Sequence, residues 1–120
     1  MLESAYEVLL AESLLRRGLH VERQKSVSLL HNEIRIDDAF RADLLVEGQL
    51  LIELKSVETL AAVHSKQVLT YLRLLNLPLG LLMNFGAATF KEGVHRVLNM
   101  RADTSRIELW QRPTQARTND

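Results

Sequence analysis

Apolar residues return at helical spacing over the first part of the chain. Leu2, Tyr6, Leu9, Leu10 and Leu14 form the series, with Glu3, Glu7, Glu12 and Arg16 between them. That rhythm predicts a helix over residues 2–17. Gly18 stands where a C-cap glycine belongs. The rhythm then changes to the partial alternation of Val21, Val27 and Leu29, which predicts an extended segment over 19–30. "HNE" at 31–33 is a turn signal. Two further extended segments are predicted over 34–46 and 50–57, joined by "EGQ", a three-residue hairpin loop with a glycine. A second helix is predicted over 63–76, and Pro78 blocks its continuation. Residues 79–85, "LGLLMNF", are nearly all apolar, as in a strand buried on both faces, and Gly86 ends the run. Residues 90–98 fit a strand or a short helix. From about Met100 the composition turns polar, so the end of the chain reads as a frayed extension. The order of elements predicts a mixed α/β fold, a sheet flanked by two helices.

The hairpin over 34–57 carries more than core. Side chains alternate along a strand, so one register decides which residues meet. With "EGQ" as the loop, Val46 pairs with Leu50, Leu44 with Ile52 and Ala42 with Leu54, which is one continuous apolar face. The same register sets Asp43 opposite Glu53 on the other face, with Lys55 beside them. A slip of one residue would mix apolar and charged residues across both faces. Two facing carboxylates repel and raise one another's pKa. A divalent cation resolves that conflict, and carboxylate oxygens are the hard ligands that Mg²⁺ or Mn²⁺ prefers. Lys55 would then help to position or deprotonate water, or stabilise developing negative charge. On the second helix His64, Gln67 and Tyr71 fall at i, i+3 and i+7, away from Leu69, Leu72 and Leu75. Gln67 and Tyr71, one turn apart, can both reach phosphate oxygens or bases.

Composition narrows the class. The chain has 120 residues, one domain by size, and 47% of them are hydrophobic, enough for a core. Cysteine is absent, which excludes disulfides and thiolate metal sites and fits a cytoplasmic location. No apolar run has the length of a membrane span, and the early acids of "MLESAYEVLL" do not form a signal peptide. The formal net charge of zero counts against a constitutive nucleic-acid coat. It leaves open an enzyme that meets phosphate through a bound cation.

"RADLLVEGQLLIELK" resembles the core of the PD-(D/E)xK nuclease superfamily, with Asp43 as the acid and Glu53-x-Lys55 as the second half. "QVLTY" matches the Gln-x-x-x-Tyr motif of its exonuclease-like branch through Gln67 and Tyr71. More narrowly the chain resembles the small GxxExxY proteins: "LESAY" supplies Glu3 and Tyr6, and "FRADLLVE", "IELKSVE", "VHSKQVLTYL" and "GLLMNFG" fit as well. The motif's glycine would fall just before Met1, so the family's N-terminal helical segment is expected to be missing. The resemblance implies a restriction-endonuclease-like domain over residues 1–99, with a polar extension over 100–120. It also implies Mg²⁺-dependent phosphodiester hydrolysis in nucleic acid. Asp43 and Glu53 would hold the metal, with the backbone carbonyl of Leu54 and Glu3 as further candidates. Lys55 would assist the attacking water, and Gln67, Tyr71 and His64 would support substrate.

Plainer readings stand beside these. Glu53 and Lys55 can be a solvated strand face, Gln67 and Tyr71 a polar helix edge, and His64 a structural residue. Glu3 can be a first-turn acid favoured by the helix dipole. Arg41, Lys66 and Arg73 can contact phosphate or simply solvate their surfaces. The whole domain can also be a non-catalytic module that binds nucleic acid or a protein partner, and a homodimer is left open.

Overall fold

The computed structural model describes residues 2–101; the expected C-terminal extension lies, beyond Arg101, outside the described residues. The chain runs α1 (Leu2–Arg16), β1 (Val21–His31), β2 (Ile34–Val46), β3 (Leu50–Lys55), α2 (Ala62–Leu75), β4 (Leu79–Asn84), α3 (Phe90–Gly93) and β5 (Val94–Leu98). The ambiguous segment at 90–98 is thus both things in turn, a single helical turn and then a strand. Thr89 caps that turn by accepting the Glu92 N–H.

The strands form one five-stranded sheet in the order β1-β2-β3-β4-β5. β1, β2 and β3 make an antiparallel meander. β3 and β4 are parallel, joined by the crossover through α2, and β5 is antiparallel to β4. Helices cover both faces. On one, Val68 and Leu72 of α2 pack with Leu45, Leu51, Leu82 and Val97. On the other, Ala11 of α1 packs with Leu44, Val46, Ile52, Leu54 and Met83. This is why β4 is apolar from Leu79 to Met83: its alternate residues serve two cores.

α2 lies close on the sheet because Gly80 has no side chain. A Cβ there would sit 2.9 Å from Val68 Cγ1 and 3.3 Å from the Leu72 methyls. The helix ends at Asn76, which takes the left-handed conformation at φ 56°, just before Pro78. β1 and β2 are much longer than β3, and residues 34–39 of β2 are exposed, so the far part of that hairpin projects past the sheet.

One expected pairing is corrected. Ala42 does not join the apolar face of Leu44, Ile52 and Leu54 but packs on the α2 side. The β2–β3 ladder ends at Leu44–Ile52, so strict alternation is lost before Ala42 is reached. Arg96 is an exposed residue of β5.

Candidate active site

The predicted hairpin register holds for three steps: Val46 with Leu50, Leu45 with Leu51 and Leu44 with Ile52. One step further, side chains replace the ladder. Glu53 Oε1 accepts the backbone N–H of Asp43 at 3.1 Å, and Asp43 Oδ2 accepts the backbone N–H of Leu54 at 2.8 Å. Each carboxylate therefore grips the other's strand. Backbone donors that would be left unpaired where the ladder ends are satisfied by the two acids.

Glu53 is 5% exposed. Burial, and then the negative charge of Asp43, push its carboxyl up to about 8, while the Lys55 ammonium works in the opposite direction. Near neutral pH Glu53 thus keeps its proton unless a cation takes that place. The pair fits a hard divalent ion of the Mg²⁺ type, which commonly binds through one or two carboxylates and keeps several waters. Among the described residues no three His, Cys, Asp or Glu side chains are grouped to hold a metal. A cation here would rest on two carboxylates, with backbone oxygen or water completing its shell.

Lys55 follows Glu53 at the period of the strand, is half-buried, and pairs in register with Asn84 of β4. The end of β3 is held firmly beside it. Asn84 Oδ1 accepts the N–H groups of Val57 and Gly86, its Nδ2 donates to the Val57 carbonyl, and the Phe85 N–H donates to the Lys55 carbonyl. Gly86 lies so close to the Val57 carbonyl that no Cβ would fit.

α2 brings Tyr71 to the acids. Its hydroxyl pKa is raised by burial and then by the charge of Glu53, with a smaller effect from Asp43. Gln67 Nε2 donates to the Tyr71 hydroxyl at 2.9 Å, and the Tyr71 ring stacks on Phe40 of β2 with centroids 4.0 Å apart. His64 sits in the first turn of α2, where its Nδ1 accepts the Ala61 N–H at 3.0 Å and so satisfies a free helix-end donor. Arg41, Lys66 and Arg73 are exposed.

α1 delivers its carboxylate differently from expectation. Glu3 lies exposed in the first turn. Tyr6 stacks on Phe85 with centroids 4.0 Å apart. Glu7, one turn beyond Glu3, is the acid turned inward at 5% exposure. Its Oε2 pairs with Arg23 at 3.0 Å, and its Oε1 accepts from Gln24 Nε2 at 2.6 Å. The same Gln24 amide donates to Asp43 Oδ1 at 3.3 Å. Glu7 and Gln24 were not among the residues singled out by sequence. A signal existed: Glu7 lies in line with the apolar Ala11 and Leu14 at i+4 and i+7, an acid within an inward-facing stripe.

A mixed five-stranded sheet with helices on both faces, and an acid followed by Glu-x-Lys on adjacent strands, define the nuclease-like α/β class. The family model of the PD-(D/E)XK nuclease superfamily matches residues 1–97, and the chain belongs to that superfamily. No curated protein and no solved structure matches the chain. Membership suggests a nuclease-like function on nucleic acid, and proteins of this superfamily typically use divalent metals. No helix of the described residues is long and apolar enough to cross a membrane.

Proposed function

We propose that the protein is a metal-dependent phosphodiesterase acting on nucleic acid, of the GxxExxY type within its superfamily. The observation that carries the reading is the crossed Asp43–Glu53 pair, two facing carboxylates of which Glu53 is buried. A bound Mg²⁺ or Mn²⁺ would supply Lewis-acid polarisation of a phosphoryl oxygen and a more acidic water. Asp43 and Glu53 would hold it, each through oxygens that keep a free lone pair beside the hydrogen bonds already made. Lys55 would place its ammonium against the negative charge that develops on the phosphoryl oxygens. Tyr71, steadied by Gln67, would orient substrate from the α2 side. The GxxExxY assignment draws support from "LESAY" on α1, where Tyr6 is packed against Phe85. A cytoplasmic setting is supported by the absence of cysteine.

The test is cleavage of single- and double-stranded DNA and RNA with and without Mg²⁺ or Mn²⁺. Asp43→Asn, Glu53→Gln and Lys55→Ala should each reduce metal-stimulated cleavage by at least ~10²-fold, the scale of losing one electrostatic stabiliser, with circular dichroism unchanged. Full activity in all three variants would sink the assignment. The second reading is a module that keeps the fold and binds nucleic acid or a protein partner without catalysis, a reading that the formal net charge of zero and the small size of the chain support. Calorimetry separates the two: no heat of binding at millimolar Mn²⁺ supports the module.

A further inference from the structure

The geometry points to Glu7 as a positioning residue for the proposed metal site, acting through Gln24 on Asp43. The inference rests on the metal-dependent reading above.

Among the described residues the buried polar or charged side chains are Glu7, Glu53, Asn84 and Asn99. Asn84 and Asn99 are spent on backbone groups around the ends of strands and of α2. Glu7 is not. It occupies an inward position on α1 where an apolar residue would dock the helix without the cost of burying a charge. Arg23 offsets that charge at Oε2, which leaves Oε1 to fix the Gln24 amide.

A primary amide nitrogen can donate twice, and Gln24 Nε2 donates to two carboxylates, Glu7 Oε1 at 2.6 Å and Asp43 Oδ1 at 3.3 Å. The backbone is arranged for this. Gln24 has φ 49°, in the left-handed region, and the β1–β2 ladder passes from Arg23–Leu44 to Lys25–Ala42 without a Gln24–Asp43 pair. The strand gives up one step of pairing at the place opposite Asp43. With Oδ1 held by Gln24 and Oδ2 by the Leu54 N–H, the Asp43 carboxylate is fixed at both oxygens. Glu7 is not grouped with the acids as a common ligand. Its influence passes through the amide, as outer hydrogen-bond partners of metal ligands commonly act.

The test uses the full chain with Gln24→Ala, Glu7→Leu and the conservative Glu7→Gln, which keeps an oxygen to accept from Gln24. Gln24 is exposed, so its truncation leaves the core alone. Calorimetric titration with Mn²⁺ should show affinity reduced about ten- to hundredfold in Gln24→Ala and Glu7→Leu, the range for lost outer partners. Glu7→Gln should recover part of it. A crystal structure of Gln24→Ala should show the Asp43 carboxylate turned from its present orientation. Unchanged Mn²⁺ affinity in both truncations overturns the proposal, as does lowered thermal stability with affinity intact, which would assign the pair to helix docking alone. If the unaltered protein takes up no Mn²⁺, the metal reading falls by itself. The orientation of Asp43 in Gln24→Ala then decides the positioning role, an unmoved carboxylate overturning it.

Discussion

Glu53 shows how a single residue can set the chemistry of a surface. It is an acid on a strand flanked by Ile52 and Leu54, both in the core, and its own side chain is buried beside Asp43. The proton it retains ties stability to pH. The folded state holds that proton up to about 8, whereas the ordinary value is 4.5. In metal-free protein the folded state therefore binds more protons than the unfolded state between those values, and stability falls as pH rises through that window. Below the lower value the contribution is fully present, and above the upper one it is lost. Urea unfolding in a chelator at about pH 5 and about pH 9 should show the decline, and Glu53→Gln should flatten it. An equal decline in the variant would mean that other groups produce it. The identity of this acid was readable from Glu-x-Lys, and the upward push of Asp43 from the hairpin register, but the larger effect of burial was not, because burial is set by the assembled layers.

Among the elements, α2 does most to connect core and site. Its inner residues Val68 and Leu72 seat it on Leu82 and Leu51, and the neighbouring stripe carries Gln67 and Tyr71 to the acids. The seat depends on Gly80. Gly80→Ala should cost about 1–3 kcal/mol, the usual penalty of overpacking, because the new Cβ meets Val68 Cγ1. Val68→Ala opens a cavity when made alone, but combined with Gly80→Ala it gives the added methyl room. The double variant should thus lose less than the sum of the singles in denaturant midpoints, and strict additivity would place the strain elsewhere. The helix, its stop before Pro78 and the Gln67–Tyr71 spacing were all legible in the sequence. The partner of Tyr71 was not, since Phe40 stands 31 positions earlier on β2 and no local period links them.

At the scale of the molecule, two cores share one sheet. β3 and β4 contribute to both, Leu51 and Leu82 on the α2 side, Ile52, Leu54 and Met83 on the α1 side. A cavity on either side should therefore loosen the whole. Leu44→Ala and Leu72→Ala, at fully buried positions of opposite faces, should each cost about 2–5 kcal/mol. In each variant, amide exchange of β3 and β4 should accelerate together with that of both helices. Independent loss of one helix would show that the layers are separate units. What the sequence determined by itself is local and periodic: the order of elements, the two-faced burial of β4, and the hairpin register that sets Asp43 against Glu53. Alternation with a period of two and a short glycine loop leave that hairpin little choice. Tertiary structure alone decided that Glu7 rather than Glu3 is tied to Asp43 and that Gln24 spans them. It also moved Ala42 to the other core and buried Glu53. Those outcomes depend on how α1 and β1, distant in sequence from the hairpin's acids, come to rest against it, and such packing is a property of the assembled layers rather than of any one segment.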